Sequence, residues 1–289
     1  MPTNGLTDIK AHGSSVRDKG SAIRHLVVQT RARDAMATEL LGRQRVMGSL
    51  KSLYLFSGCS AEDLAEVAAF CLVRRVGRGQ RLYSEHDPCI ALHYLSHGLV
   101  KLARYGSRGA EQIIDICGTG RLLGVTALFT GDGYQCDAVA VDECDVTVIQ
   151  TAPLMRFLES HPLRVTRLAT ELGRAHARMV TRVENLLGRT ALQRVALYLL
   201  ESSDPEPDDH TPPPLVGCIR RADIANMLGL TPETFSRVLA RFRKAGWILD
   251  QGGHVSVVRR ERLHEAMHDP SVLRPSGAAG TTHGAAISA

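Results

Sequence analysis

Residues 218–247, Cys-Ile-Arg-Arg-Ala-Asp-Ile-Ala-Asn-Met-Leu-Gly-Leu-Thr-Pro-Glu-Thr-Phe-Ser-Arg-Val-Leu-Ala-Arg-Phe-Arg-Lys-Ala-Gly-Trp, constrain the fold more than any other stretch. They read as two short helices joined by a tight turn. Thr231 stands at an N-cap position and Pro232 at the first helical position, where its missing N–H costs nothing. From there Phe235, Val238, Leu239 and Phe242 fall at i, i+3, i+4 and i+7, so they share one buried stripe. Glu233, Ser236, Arg237 and Arg241 share the other side. Upstream, Ile224, Ala225 and Leu228 give the first helix a matching apolar face, and Gly229 suits a turn residue with positive φ. The second helix therefore predicts a ridge that enters a DNA groove. An Arg can donate twice to guanine, a carboxylate can accept from cytosine N4, and a serine hydroxyl serves either role.

Charge distribution agrees with that reading. The net charge is +5, and residues 216–265 hold nine Lys/Arg against five Asp/Glu. Residues 201–215 hold five acidic residues and no basic one, the pattern of a phosphate-facing module beside a solvated hinge. No run of 18 apolar residues exists, and the first ten residues lack the apolar core of a signal peptide, so a cytoplasmic protein with no membrane span is expected. Seven cysteines at 59, 71, 89, 117, 136, 144 and 218 show no C-x-x-C pair, which argues against a disulfide framework and a zinc ribbon. Cys71, Cys117 and Cys144 sit in strand-like runs and are expected as small core residues. Cys218 is the exception, a possible redox site beside Arg220 and Arg221, whose charge would favour its thiolate. His86, His93, His97 and His161 are isolated and give little basis for haem; no metal or cofactor is expected.

Along the chain, residues 1–50 read as a mostly disordered extension with a helix near Ala35–Leu50, and Ser60 caps a helix leading into Leu64, Val67 and Phe70. From Cys71 to Thr151, short apolar runs are broken by glycines, as in an antiparallel barrel or sandwich. Residues 162–187 change to a helical period. Val165, Leu168, Leu172, Ala175, Met179, Val183 and Leu186 alternate at steps of three and four, a seam for a two-helix dimer contact flanked by an arginine-rich outer face; the same stripe also suits a helix lying on its own barrel, and the two readings are compatible. A helix over Ala191–Leu200, an acidic Pro-rich loop over Pro205–Pro214, the helical pair, and a hairpin over Trp247–Val258 complete the order. The tail past 269 reads as unstructured.

Barrel, long dimer helix, then winged helix-turn-helix resembles the Crp/Fnr family of bacterial transcription regulators, from about Leu53 to Ala266 and most strongly over Asp223–Arg237. The pattern Glu233-x-x-Ser236-Arg237 is similar to the Fnr/FixK branch; the catabolite activator branch has Arg in place of Pro232 and Gly in place of Ser236. The resemblance implies an α+β chain: an N-terminal antiparallel β-roll resembling cyclic-nucleotide-binding domains (51–160), a dimerisation helix (161–190), a winged helix-turn-helix (191–268) and a tail (269–289). It also implies a homodimer on double-stranded DNA, a TTGAT-like palindrome, RNA polymerase as partner and activation as the outcome. Glu233, Ser236 and Arg237 would read bases; Arg220, Arg221, Thr231, Arg241, Arg243 and Lys244 would meet phosphates. Members that bind cyclic nucleotides carry Gly-Glu and then Arg-Ser or Arg-Thr, where this chain has Gly124-Val125 and Gln135-Cys136. A cyclic phosphate would lack its partner there, so cAMP and cGMP are not expected effectors. No cysteine precedes Cys59, so the N-terminal iron–sulfur cluster of Fnr does not carry over. The effector stays open. A small-molecule-binding module acting through protein contacts is the alternative; no phosphate loop, metal-ligand pair or nucleophile motif points to an enzyme.

Overall fold

The glycine-punctuated runs fold, in a computed structural model, into two four-stranded antiparallel sheets. The structure describes residues 41–106, 109–203 and 219–269. One sheet has the order β1 (Cys71–Val76), β8 (Cys144–Gln150), β3 (Ala91–His97), β6 (Leu122–Leu123); the other has β2 (Arg81–Tyr83), β7 (Asp137–Ala140), β4 (Val100–Tyr105), β5 (Glu111–Cys117). Side chains alternate across each strand, so Val76, Leu95 and Val146 of the first sheet meet Val100, Cys117 and Ala138 of the second in a buried core. Gly98 turns β3 into β4 at φ 96°, where a Cβ would lie 2.6 Å from the Glu143 carbonyl oxygen, so only glycine fits.

A second apolar cluster covers the outer face of the first sheet. It joins Leu92 and Ile149 to α1 (41–52), α2 (Ala61–Ala68), α4 (Thr151–Ser160) and the start of α5 (Pro162–Gly188). Ser60 caps α2 as read: its hydroxyl accepts from Asp63 N at 3.0 Å, and Asp63 accepts in return from Ser60 N. Residues 41–52 form a helix, overlapping the one expected near Ala35–Leu50; its Val46 and Leu50, one turn apart, are buried in this cluster with Phe56 and Phe157. Residues 1–40, 107–108, 204–218 and 270–289 lie outside the described residues, and with them the disorder expected at the two ends and the acidic loop expected over Pro205–Pro214. Helix α3 (Val125–Thr130) lies within the segment read as strands and turns, and α4 begins where that segment ends, over residues to which no element was assigned.

The 27-residue α5, about 40 Å long at 1.5 Å per residue, leads from the barrel to α6 (Ala191–Ser202), capped by Thr190 and Gln193. The C-terminal unit is α6, α7 (Arg221–Met227), α8 (Pro232–Lys244), the hairpin β9 (Ile248–Gln251) and β10 (His254–Val257), and α9 (Arg260–His268). Leu199, Ile224, Phe235, Phe242, Trp247 and Leu263 share its core. That core continues into the barrel through Ala103, Ile113 and Ile116, so the two units are packed together. No helix among the described residues is long and apolar enough to cross a membrane.

Candidate nucleic-acid interface

Local chemistry fixes α8 at both ends. Thr231 Oγ1 accepts from Thr234 N at 3.2 Å, and Pro232 opens the helix. Arg241, Arg243 and Lys244 occupy the last turn, where positive charge meets the negative end of the helix dipole. Phe235, Val238, Leu239 and Phe242 are buried beneath. Burying each of the two phenyl rings stabilises the helix's seat by about 1.5–3 kcal/mol. Phe242 also stacks on Trp247, centroids 5.5 Å apart, which sets where the hairpin leaves the helix.

Glu233, Ser236 and Arg237 are all exposed on the opposite face. Hydrogen bonds from its own backbone N–H and from Thr231, with Arg237 nearby, hold the Glu233 carboxyl below the usual carboxylate range. It is therefore an ionised, acceptor-only group. Arg243 and Lys244 are exposed as well. Thr231 is exposed, but its hydroxyl is engaged in the cap. Arg220 and Arg221 are already partnered. Arg220 makes a two-point ion pair with Asp223 at 2.9 and 3.1 Å, and Arg221 ties the first turn of α7 to Asp250 of the hairpin. These two can meet phosphate only by sharing their donors with carboxylates, a difference that sequence spacing does not reveal.

The turn between α7 and α8 is set from outside the motif. Gly229 has φ 63°, and a Cβ there would lie 2.9 Å from Leu186 Cδ2 of α5. Arg194 of α6 donates to the Leu228 carbonyl at 2.7 Å, and Arg182 of α5 donates to the carbonyls of Met227 and Ile113. The Asn226 side chain accepts from Ile113 N and donates to the Glu111 carbonyl, both at 2.7 Å. It pairs with the edge strand β5 as another strand's backbone would. Sequence reading missed this contact because its partners are more than a hundred residues away.

The α5 stripe is only partly available to a second chain. Leu168 is 1% exposed within its own subunit's core, so it has no surface left to give a partner, which corrects its place in the expected seam. Leu172 and Ala175 are half-buried; Val165, Met179, Val183 and Leu186 are exposed. Arg178 and Arg182 of α5 line a cavity against the barrel. In the barrel, the Gln135 side chain donates to the Gly133 carbonyl and to Thr130 Oγ1, at 3.0 and 3.1 Å, closing the loop beside Cys136. Cys218 lies outside the described residues. Cys117 and Cys144 are buried and Cys71 half-buried, and burial pushes all three thiols up to about 12. His86 and His97 are exposed, while His93 is buried beside the Tyr83 ring. His161 bonds the Phe157 carbonyl.

Comparison with known proteins agrees with this architecture. Residues 193–266 match the Crp-like helix-turn-helix domain, and residues 73–161 match the cyclic nucleotide-binding domain. The chain is 33% identical over 220 residues to the nitrogen fixation regulation protein FixK of Bradyrhizobium diazoefficiens, covering 71% of this chain and 87% of FixK. It is 31% identical to the transcriptional activatory protein AadR of Rhodopseudomonas palustris, over 65% of this chain and 78% of AadR. The structure of FixK2 from Bradyrhizobium japonicum shares the fold, with a TM-score of 0.60 and 22% identity over 68% of this chain and 96% of that one. With both domains matched and FixK aligned over most of its length, this chain belongs to the Crp/Fnr family of transcription regulators, in its FixK-like branch.

Proposed function

We propose that the chain is a homodimeric, sequence-specific DNA-binding regulator that activates transcription from a TTGAT-like palindrome. The observation that carries this reading is the division of α8, with Glu233, Ser236 and Arg237 exposed over a fully seated apolar underside. Each subunit places α8 in a major groove, with half-sites one turn apart, about 34 Å. Arg237 donates to guanine, Glu233 accepts from cytosine, and Ser236 completes the contact. Arg241, Arg243 and Lys244 contact phosphates, with Thr231 at the helix start, and Arg220 and Arg221 contribute by sharing their donors. Residues 51–160, joined by 41–52, form the sensor-like unit, 161–190 the dimerisation helix and 191–268 the DNA-binding unit. The protein acts in the cytoplasm with RNA polymerase, and the AadR name, a transcriptional activatory protein, supports activation. Neither a cyclic nucleotide nor an N-terminal iron–sulfur cluster controls it: positions 135–136 carry Gln and Cys, and no cysteine precedes Cys59.

Gel-shift titration on matched and mismatched TTGAT palindromes tests the reading. Arg237→Ala costs about 1–3 kcal/mol at one base position and relaxes discrimination there, whereas Lys244→Ala weakens every sequence alike and lowers the salt slope by about 1. Equal losses on matched and mismatched DNA for Arg237→Ala would refute base reading by α8.

A further inference from the structure

Asp250 is a carboxylate set among the cations of the helix-turn-helix. It stands in β9 opposite Val255, and its side chain is only 13% exposed. A carboxylate so far out of water is costly unless it is paired. Its partner comes from another element: Nη2 of Arg221, the first residue of α7, donates to Asp250 Oδ1. The hydrogen bond from Arg221, with the charges of Arg221 and of Arg243 in the last turn of α8, outweighs burial and holds the carboxyl below its usual range. One carboxylate thus links α7, the end of α8 and the hairpin. The pairing leaves Arg221 most of its capacity. A guanidinium has five N–H donors, and one of them serves Asp250. The Arg221 side chain is 36% exposed, so an approaching anion meets the guanidinium before the better-covered carboxylate. A free arginine loses rotamer freedom when it docks on phosphate, whereas one already held in place loses little.

We infer that Asp250 is a positioning residue for DNA binding: it holds the Arg221 fork ready for a phosphate oxygen and fixes the hairpin against α7. The inference rests on the DNA-binding reading of the helix-turn-helix given above. The sign of the effect separates this role from plain electrostatics. Removing a carboxylate from a surface that meets a polyanion tightens binding through charge alone. Removing a carboxylate that positions a phosphate-binding arginine weakens it.

Fluorescence-anisotropy titration of the full-length chain on matched and mismatched TTGAT palindromes, over a series of salt concentrations, tests the inference. Asp250→Asn keeps the size of the side chain and removes its charge. It is expected to weaken binding to the matched site about tenfold and to lower the salt slope by about 1 for each subunit, since the phosphate contact of Arg221 is lost. Arg221→Met should lose as much, and the double variant no more than either single one, because both changes remove the same contact. Asp250→Glu, which keeps the charge, should recover most of the affinity. Glu261→Gln, at an exposed carboxylate on α9, reports the general effect of losing a negative charge and should not weaken binding. Thermal midpoints of the variants verify that each is folded. The inference is overturned if Asp250→Asn binds as tightly as wild type or more tightly. It is equally overturned if affinity falls while the salt slope stays the same, the mark of a weakened fold with every phosphate contact kept, or if the two single losses add. In those outcomes wild type still prefers the matched palindrome, so the DNA-binding reading stands; wild type that cannot tell the two palindromes apart would sink both.

Discussion

Replacing Asn226 by Ala removes a contact whose cost can be worked out bond by bond. The Asn226 amide accepts from Ile113 N and donates to the Glu111 carbonyl, both at 2.7 Å, on the edge of β5. Deleting one partner of a buried pair leaves the other group short of a bond, at about 1–3 kcal/mol each in a dry site. Asn226 is half-buried, so water reaches the gap and the combined loss is set near the lower end, about 2 kcal/mol. The loss falls on the docking of α7 against the barrel rather than on either core, because neither bond lies within one unit. At 1.4 kcal/mol per factor of ten, the Ile113 amide should exchange with deuterium about 30-fold faster in Asn226→Ala. Amides inside β8 should keep their protection. Hydrogen-exchange mass spectrometry or NMR reads both. Unchanged protection at Ile113 would show that the barrel and the helix-turn-helix are not joined by this amide in solution, and the account of how α7 is positioned would fail.

Two more perturbations test neighbouring steps. Gly229→Ala puts a Cβ into a left-handed turn (φ 63°) and 2.9 Å from Leu186 Cδ2; a destabilisation of about 1–2 kcal/mol is expected in urea titration, and a neutral result would contradict the turn geometry. His93 is buried with Nδ1 lacking a hydrogen-bond partner among the described residues, and burial pulls its pKa from 6.5 down to about 4. A base with a depressed folded-state pKa stabilises fully above the unfolded value and loses that stability as pH falls. Stability should therefore drop by up to roughly 3 kcal/mol between pH 6.5 and 4, and His93→Leu should flatten that limb of the urea-midpoint profile; an identical slope in the variant would assign the acid sensitivity to other groups.

Much of the DNA-facing end was legible because its signals are local. A cap, a proline and four apolar residues at helical spacing specify α8 from Pro232 to Lys244, and Gly229 marks the turn. The strands were legible as a class, since glycines punctuate them, but not their pairing: β1 lies against β8, some seventy residues on. Helix α4 carried a readable stripe, Leu154, Phe157 and Leu158, masked by the strand run just before it. Helix α3 is six residues long with a β-branched start, too short for a period to show. Helix α9 buries only Leu263 and Ala266 among charged neighbours, so its apolar face is too narrow to stand out. The ion pairs that engage Arg220 and Arg221, and the carbonyls that engage Arg182, depend on chain segments brought together only by the fold.

The seam on α5 shows why periodicity alone cannot divide a stripe between the subunit's own core and a second chain. A helix of 27 residues that first lies on its own barrel and then leaves it needs apolar residues on two faces, and a repeat of three and four cannot say which face meets which partner. Leu168 is spent inside the subunit, with Leu172 beside it, so the stripe through them is internal at that end. Exposed positions run instead through Ala169, Gly173, His176, Val180, Val183 and Leu187, again at steps of four and three. Their small residues lie at the barrel end, where two helices could approach closely, and their large apolar residues lie toward the DNA-binding unit, where Leu187 is 83% exposed. In the proposed homodimer this stripe, together with Val165, Met179 and Leu186 of the expected seam, is the surface with area left to bury.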